Sequence, residues 1–297
     1  MKHSKTLQET KVWKVYADKV SEKDNYNTRM GWVEQIFDAS KNYLLLVRDT
    51  FPNYTLHDER HILNIIDIIG GLLGEQIDFL TCDEIELLIL VACFHDIGMV
   101  YDENDKDRCF LNTKKLNYFL RKYYPEQYGT EHSELSDSIR QDYLRMLHPF
   151  RIAEVLNKKE WQPYFKEAWQ KMLRNHIVKI GQSHGEDWNI TTITVKLQCH
   201  ENDKIDLLFC AMLLRLSDIL DFDDTRAPRI LYNYVSNEKS VNEWQKHINS
   251  LGFIFPDIPS TMVNAVKVFT LRLCISAYYI HFKRVKVKIF TAFTIII

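Results

Sequence analysis

Residues 80–99 read LTCDEIELLILVACFHDIGM, and this stretch sets the fold class. Asp83 and Glu86 form a capping-box pattern that predicts a helix over residues 84–97, and Gly98 is placed to end it. Nearly all positions of this helix are apolar. A helix that is apolar on all sides lies at the centre of a core, so the sequence predicts a helical core built around this segment.

The composition agrees with a helical protein. The chain has 297 residues with only 9 Gly and 7 Pro, and this scarcity favours long helices over a sandwich or barrel with many tight turns. The predicted class is therefore all-α. Because 38 basic residues face 40 acidic ones, the net charge of -2 creates no overall field for nucleic acid or an acidic membrane. We expect no extended nucleic-acid surface, and an anionic substrate must be held by local chemistry.

Further segments define a domain plan. Residues 57–73 have the apolar periodicity of a core-facing helix, and residues 205–220 are predicted as a second helix that is apolar at nearly every position. Residues 1–50 are predicted as N-terminal helices packed on the core, and residues 51–250 as the main helical domain. Residues 251–297 are rich in β-branched and aromatic residues, which is typical of strands. This tail is predicted as a separate segment, the truncated start of another domain.

Cysteine usage and the N-terminus indicate a compartment. The six cysteines are scattered and form no CxxC pair, which disfavours a disulfide framework or a zinc knuckle. The N-terminus lacks the apolar stretch of a signal peptide, and no run before residue 265 could span a bilayer. We therefore expect a cytoplasmic protein without membrane contact.

The main chemical signal is the pair His95 and Asp96 at the end of the central apolar helix. A buried carboxylate is costly unless it meets a cation or several hydrogen bonds, and a metal ion would satisfy Asp96 directly. Alternatively, His95 caps the helix and Asp96 pairs with an arginine. For the dipeptide alone this second reading is the more common situation.

Other residues strengthen the metal hypothesis. His57 and His61 are four apart, so a helix would place both imidazoles on one face, although they could instead form a surface pair. Asp218 follows Arg215 by three residues in the second apolar helix, which is compatible either with an internal salt bridge or with a metal ligand. A shared metal would explain all of these buried polar groups together.

The order of His61, His95-Asp96 and Asp218 along the chain resembles the HD phosphohydrolase superfamily. The segments FPNYTLHDERHILNIIDII, LTCDEIELLILVACFHDIGM and LLRLSDILDFDDTRAP are similar to the HD domain found upstream of Hsp90-like ATPase domains in bacterial multidomain proteins. The resemblance covers roughly residues 50 to 235 and implies an HD-type helical bundle around a metal site. No glycine-rich nucleotide-binding box follows residue 235, so an Hsp90-like ATPase partner is expected outside this chain, which is then a piece of a larger protein.

The resemblance also implies a second metal position. Two further histidines bind it in dinuclear members, and His148 in LHPFRIAEVL and His176 in LRNHIVKI look like the matching residues. His132 and His184 are expected on the surface or in loops. Asp96 would bridge the two ions.

The ligand set implies a cofactor and a reaction. Imidazole and carboxylate ligands without thiolate suit one or two divalent ions, with Mn or Fe favoured by the resemblance and Mg, Zn, Co or Ni also compatible. The expected function is hydrolysis of a phosphoester, of a nucleotide in particular, by a metal-activated water. Asp96, His95 and Arg215 are the candidate catalytic residues, and Arg151 and Arg174 are candidates for binding phosphate, although a structural ion pair is the more common role for each arginine. The alternatives are a catalytically silent HD-fold sensor that binds a nucleotide, and a purely structural helical scaffold.

Overall fold

The computed structural model describes residues 3–185, 205–222, 224–235 and 238–250. Within these ranges the chain forms helices and no strand, which confirms the all-α prediction. The predicted strand-like tail lies outside the described residues. The helices are α1 (Lys11–Val20), α2 (Tyr26–Leu44), α3 (Val47–Thr50), α4 (Glu59–Leu73), α5 (Cys82–Phe94), α6 (Glu103–Leu111), α7 (Thr113–Tyr123), α8 (Asp137–Leu156), α9 (Ala168–His184), α10 (Leu207–Leu220), α11 (Arg229–Tyr232) and α12 (Glu238–Ile248).

The apolar helix α5 lies at the centre of the bundle. It contacts α1, α2, α4, α9 and α10, and its residues from Leu87 to Phe94 are fully buried. The capping box is formed by Thr81 and Glu84 rather than by the predicted pair. Glu86 is instead buried, where it accepts a hydrogen bond from Tyr16 and pairs with Arg29 of α2. A buried carboxylate needs such partners, so packing determined its position more than the capping pattern did.

Helix α8 corrects a predicted helix break. A proline favours the first turn of a helix and therefore predicts two helices with Pro149 starting the second, but one helix runs from Asp137 to Leu156 with Pro149 inside it. Proline has no backbone N–H and therefore leaves the carbonyl of Arg145 without its usual donor. The Nδ1 atom of His148 lies 2.5 Å from that carbonyl oxygen and donates to it. The histidine next to the proline thus supplies the missing hydrogen bond.

None of the described helices is long and apolar enough to cross a lipid bilayer.

Candidate metal centre

Among the described residues, six possible metal ligands converge where several helices end. Helices α4, α8 and α10 each bring one residue from within the helix, and α9 brings its last residue. The remaining two follow directly on α5, at its C-terminal cap and the next position. These residues are His61, His95, Asp96, His148, His184 and Asp218.

The first group of ligand atoms belongs to His61, His95 and Asp218, whose nitrogen and oxygen atoms lie within 4.8 Å of one another. The Nε2 atoms of His61 and His95 are 3.0 Å apart. The Oδ1 atom of Asp218 lies 3.7 Å from Nε2 of His61 and 3.9 Å from Nε2 of His95. Both histidines are completely buried. This group has the composition of a three-ligand site for a divalent ion.

The second group contains Asp96, His148 and His184, again with ligand atoms within 4.8 Å of one another. The Nε2 atoms of the two histidines are 2.9 Å apart. The Oδ1 atom of Asp96 lies 3.3 Å from Nε2 of His148 and 3.9 Å from Nε2 of His184. This group could hold a second ion next to the first.

Asp96 joins the two groups. Its Oδ2 atom lies 3.1 Å from Nε2 of His61 and 3.0 Å from Nε2 of His95, while its Oδ1 atom faces His148. Burial raises the pKa of Asp96, but the nearby His95, His148 and His61 outweigh it and lower this pKa well below its usual range. The carboxylate is therefore ionised, as a ligand shared by two cations must be.

The proton positions of the histidines favour metal binding. In each of the four, Nδ1 has an oxygen acceptor: Asp221 for His61, and the carbonyls of Ala92, Arg145 and Gly181 for the others. An Nδ1–H that donates outward leaves the lone pair of Nε2 directed inward. Where both imidazoles of a pair are neutral, their Nε2 lone pairs, 3.0 Å apart in one pair and 2.9 Å apart in the other, repel unless a cation lies with them. The donor set therefore fits divalent metal ions.

The pKa values of two ligands differ for clear reasons. Burial and Arg226 lower the pKa of His61, but hydrogen bonds to Asp221 and Asp96 outweigh them and raise it to about 9. Burial, together with the neighbouring His148, lowers the pKa of His184 to about 3. His184 is consequently neutral and ready to donate its lone pair.

A supporting shell behind His61 was not predicted from the sequence. The buried Asp221 accepts from His61 Nδ1 at 2.5 Å and from Asn64 Nδ2 at 2.8 Å. Arg226 lies 3.6 Å from the same carboxylate. We predicted no role for Asp221, which directly follows α10. Its spacing of three from Asp218, which places both carboxylates at one helix end, was the signal that could have identified it.

The position of His57 differs from the prediction. Helix α4 begins at Glu59 with Asp58 as its N-cap, so His57 precedes the helix and the helical spacing to His61 does not apply. Its Nδ1 donates to the carbonyl of Thr55, and its Nε2 accepts from Arg226 at 3.1 Å. Burial and Arg226 lower the pKa of His57 well below its usual range. It lies 3.8 Å from Asp96 but belongs to neither ligand group.

The histidine of α9 at the second group differs from the predicted one. His184, which we expected on the surface or in a loop, is the last residue of α9 and meets His148, whereas His176 belongs to neither group. The two are eight residues apart, or about 12 Å along the helix axis. The final turn of α9 rather than its middle therefore reaches the centre.

The predicted arginines lie elsewhere. Arg151 donates to the carbonyls of Gly98 and Val100 and pairs with Asp105 at 2.6 Å. Arg174 donates to the side chain of Asn157, and Arg215 to the carbonyl of Ser183. None of the three is among the described residues that line the cavity at the centre. Each supports the packing of helices, which matches the structural alternative for these residues.

A cavity of about 470 Å³ opens above the ligand groups. Its described lining includes ligands from both groups, the N-terminal half of α8 and one face of α12. Those lining residues are Asn53, Tyr54, Thr55, His57, Asp96, Met99, Ser138, Gln141, Asp142, Arg145, His148, His184, Gly185, Asp218, Ile219, Asp221, Phe222, Arg226, Ser240, Glu243, Trp244 and His247. The volume is in the range of small-molecule sites.

The all-helical bundle and its His/Asp cluster define an HD-type domain with a possible site for divalent metal. The family model HD-CE matches residues 51–272, and the chain belongs to this family. The match continues past residue 250, where we had predicted the end of the helical domain. No curated protein and no solved structure matches the chain.

Proposed function

We propose that this protein is a metal-dependent phosphohydrolase that cleaves a phosphoester, with a nucleotide as the substrate. The observation that carries the proposal is the position of Asp96, whose two oxygens face two separate histidine groups at the base of a cavity. Two adjacent cation positions joined by one carboxylate are typical of enzymes that hydrolyse phosphate esters. Membership of the HD-CE family supports the same reaction class.

The six ligands would hold two ions. His61, His95 and Asp218 would hold one ion, His148 and His184 the other, and Asp96 both. Divalent ions in such a site supply Lewis-acid activation of water and of the phosphoryl group. Asp218 is the most exposed of these ligands, with 30% of its side chain accessible, so its carboxylate borders the space that water and substrate reach.

The fixed orientation of the imidazoles would also favour hydrolysis. Because each Nδ1–H is held by a fixed acceptor, the ligands need little rearrangement when charge develops on a phosphate in the cavity. Asp221 and Asn64 keep His61 in place from behind. A preorganised polar site lowers the barrier for charge formation more than a mobile one.

The proposal is tested with full-length protein purified in the presence of Mn²⁺. We expect it to release phosphate from at least one member of a panel of nucleotides and aryl phosphates. Asp96→Asn should lower this activity by orders of magnitude, because the variant loses the charge shared by both sites. Asp137→Asn, at an exposed position of α8, should keep wild-type activity.

Two results would contradict the proposal. One is an Asp96→Asn variant as active as the wild type. The other is a wild-type protein that binds Mn²⁺ but hydrolyses no member of the panel, which would favour the catalytically silent sensor.

A further inference from the structure

Among the described residues, one exposed arginine lines the cavity above the ligand groups. Arg145 lies on α8 one turn before His148, and it lines both this cavity and a neighbouring one of about 440 Å³. In the described lining of the first cavity the only other arginine is Arg226. That guanidinium is already used by the carbonyl of Leu56 at 3.1 Å, by His57 and by Asp221.

An aromatic ring positions the guanidinium of Arg145, and no described carboxylate forms an ion pair with it. It lies over the ring of Tyr54, with 5.6 Å from Cζ to the ring centroid. The nearest acidic residue on its own helix is Asp142, whose two oxygens accept from Tyr54 at 2.9 Å and from Tyr124. Two phenols therefore occupy that carboxylate, and among the described residues Arg145 has no ion-pair partner. An aromatic face restricts an arginine while its N–H groups remain available.

Such a group suits a phosphate. A guanidinium presents N–H donors in a fixed fork that matches two oxygens of a phosphoryl group, and it keeps its charge at every physiological pH. The cavity is otherwise rich in acidic residues, since Asp142 and Glu243 line it in addition to the ligand carboxylates. An anionic substrate would therefore need at least one cationic contact on the part of the cavity wall that is not formed by metal ligands.

We propose that Arg145 binds a non-bridging oxygen of the substrate phosphate and so selects phosphoesters over neutral esters. This inference rests on the proposed function, because it assumes that the cavity receives a phosphoester. Arg145 takes the role that the sequence had suggested for Arg151 and Arg174. Its contact is one of binding, and the proposal assigns it no proton transfer.

The test measures binding of inorganic phosphate to the full-length Mn²⁺-loaded protein by calorimetry. Arg145→Ala should weaken phosphate binding roughly 10- to 100-fold, as expected for loss of a charge-assisted contact. Arg145→Lys should be intermediate, since it keeps the charge but not the fork. The matched control is Arg121→Ala, which also removes an arginine over a tyrosine, Tyr128, but lies outside the cavity. Its phosphate affinity should equal that of the wild type.

Two further readouts separate binding from structure and from catalysis. The Mn²⁺ content and melting temperature of Arg145→Ala should match the wild type, because the side chain is exposed and is not a ligand. With p-nitrophenyl phosphate, KM should rise more than kcat falls.

The proposal is overturned if Arg145→Ala retains wild-type phosphate affinity, or if the Mn²⁺-loaded wild type binds no phosphate. A wild type that binds phosphate through Arg145 but hydrolyses nothing would contradict the proposed function alone.

Discussion

At the scale of single residues, the chemistry of this site depends on which nitrogen of each histidine carries the proton. His61 is held by the carboxylate of Asp221, whereas His95, His148 and His184 are held by backbone carbonyls of their own helices. A side chain can be replaced and a carbonyl cannot. Asp221 is therefore the place where the orientation of a ligand can be tested by substitution.

Asp221→Asn is expected to weaken divalent metal binding roughly 10- to 100-fold, the usual effect of removing a partner behind a metal-binding histidine. The amide can present N–H rather than an acceptor to Nδ1, and it removes the charge that stabilises the proton there. Asp67→Asn is the matched control, because Asp67 lies on α4 like His61 but accepts hydrogen bonds from Ser4. Titration with Mn²⁺ measures the metal affinity of both variants. Equal affinities for the two variants would show that Asp221 does not position His61.

Individual residues also show how far the sequence could be interpreted. His61, His95, Asp96 and Asp218 were predictable because polar groups that interrupt apolar helices must meet one another in the core. His184 was not, since it follows the last apolar residue of its helix and has no periodic pattern around it. Arg145 was not either, because its exposure and its lack of an ion-pair partner among the described residues follow from contacts with residues distant in sequence.

At the scale of elements, the site depends on a close approach between α8 and the turn that follows α5. A Cβ atom on Gly98 would overlap the carbonyl of His148, so only glycine allows the two backbones to lie this close. The same turn carries Asp96, and α8 carries His148. This glycine therefore sets the distance between the two ligands, a role beyond the helix end that the sequence indicated.

Gly98→Ala is expected to destabilise the fold by about 1–3 kcal/mol, the typical cost of inserting a methyl group into a filled space. It should also lower Mn²⁺ content, because α8 must move away from Asp96. The control is Gly31→Ala in α2, where no atom lies within 4 Å of the added Cβ and helix propensity should improve stability by about 0.5–1 kcal/mol. Urea unfolding measures both variants. If the two have the same stability, the close approach is not a constraint.

Helix limits were predicted less well than helix existence. The apolar residues of α4, α5 and α10 are a local property of the sequence and were sufficient to locate these helices. The end of α9 and the continuity of α8 were not local properties, since the first reaches a ligand group and the second depends on a side-chain hydrogen bond that compensates for Pro149. A local sequence pattern is sufficient to locate a helix, whereas the residues at which the helix ends depend on its contacts with other elements.

At the scale of the whole molecule, helices distant in sequence bring their polar ligands to one centre. The N-terminal helices α1 and α2 pack on α5. Both precede the segment that matches the family model. An Hsp90-like ATPase partner remains a prediction from resemblance, and the role of residues 251–297 is likewise a prediction. The proposed function depends on the claim that these six ligands converge at one centre.

The most direct test of that claim counts metal ions. Full-length protein loaded with Mn²⁺ and desalted should contain about two ions per chain by elemental analysis. His184→Ala should reduce this to about one, and His176→Ala should leave it unchanged, because His184 and not His176 meets Asp96 and His148. A wild type without bound metal, or a loss of metal in His176→Ala but not in His184→Ala, would contradict the account.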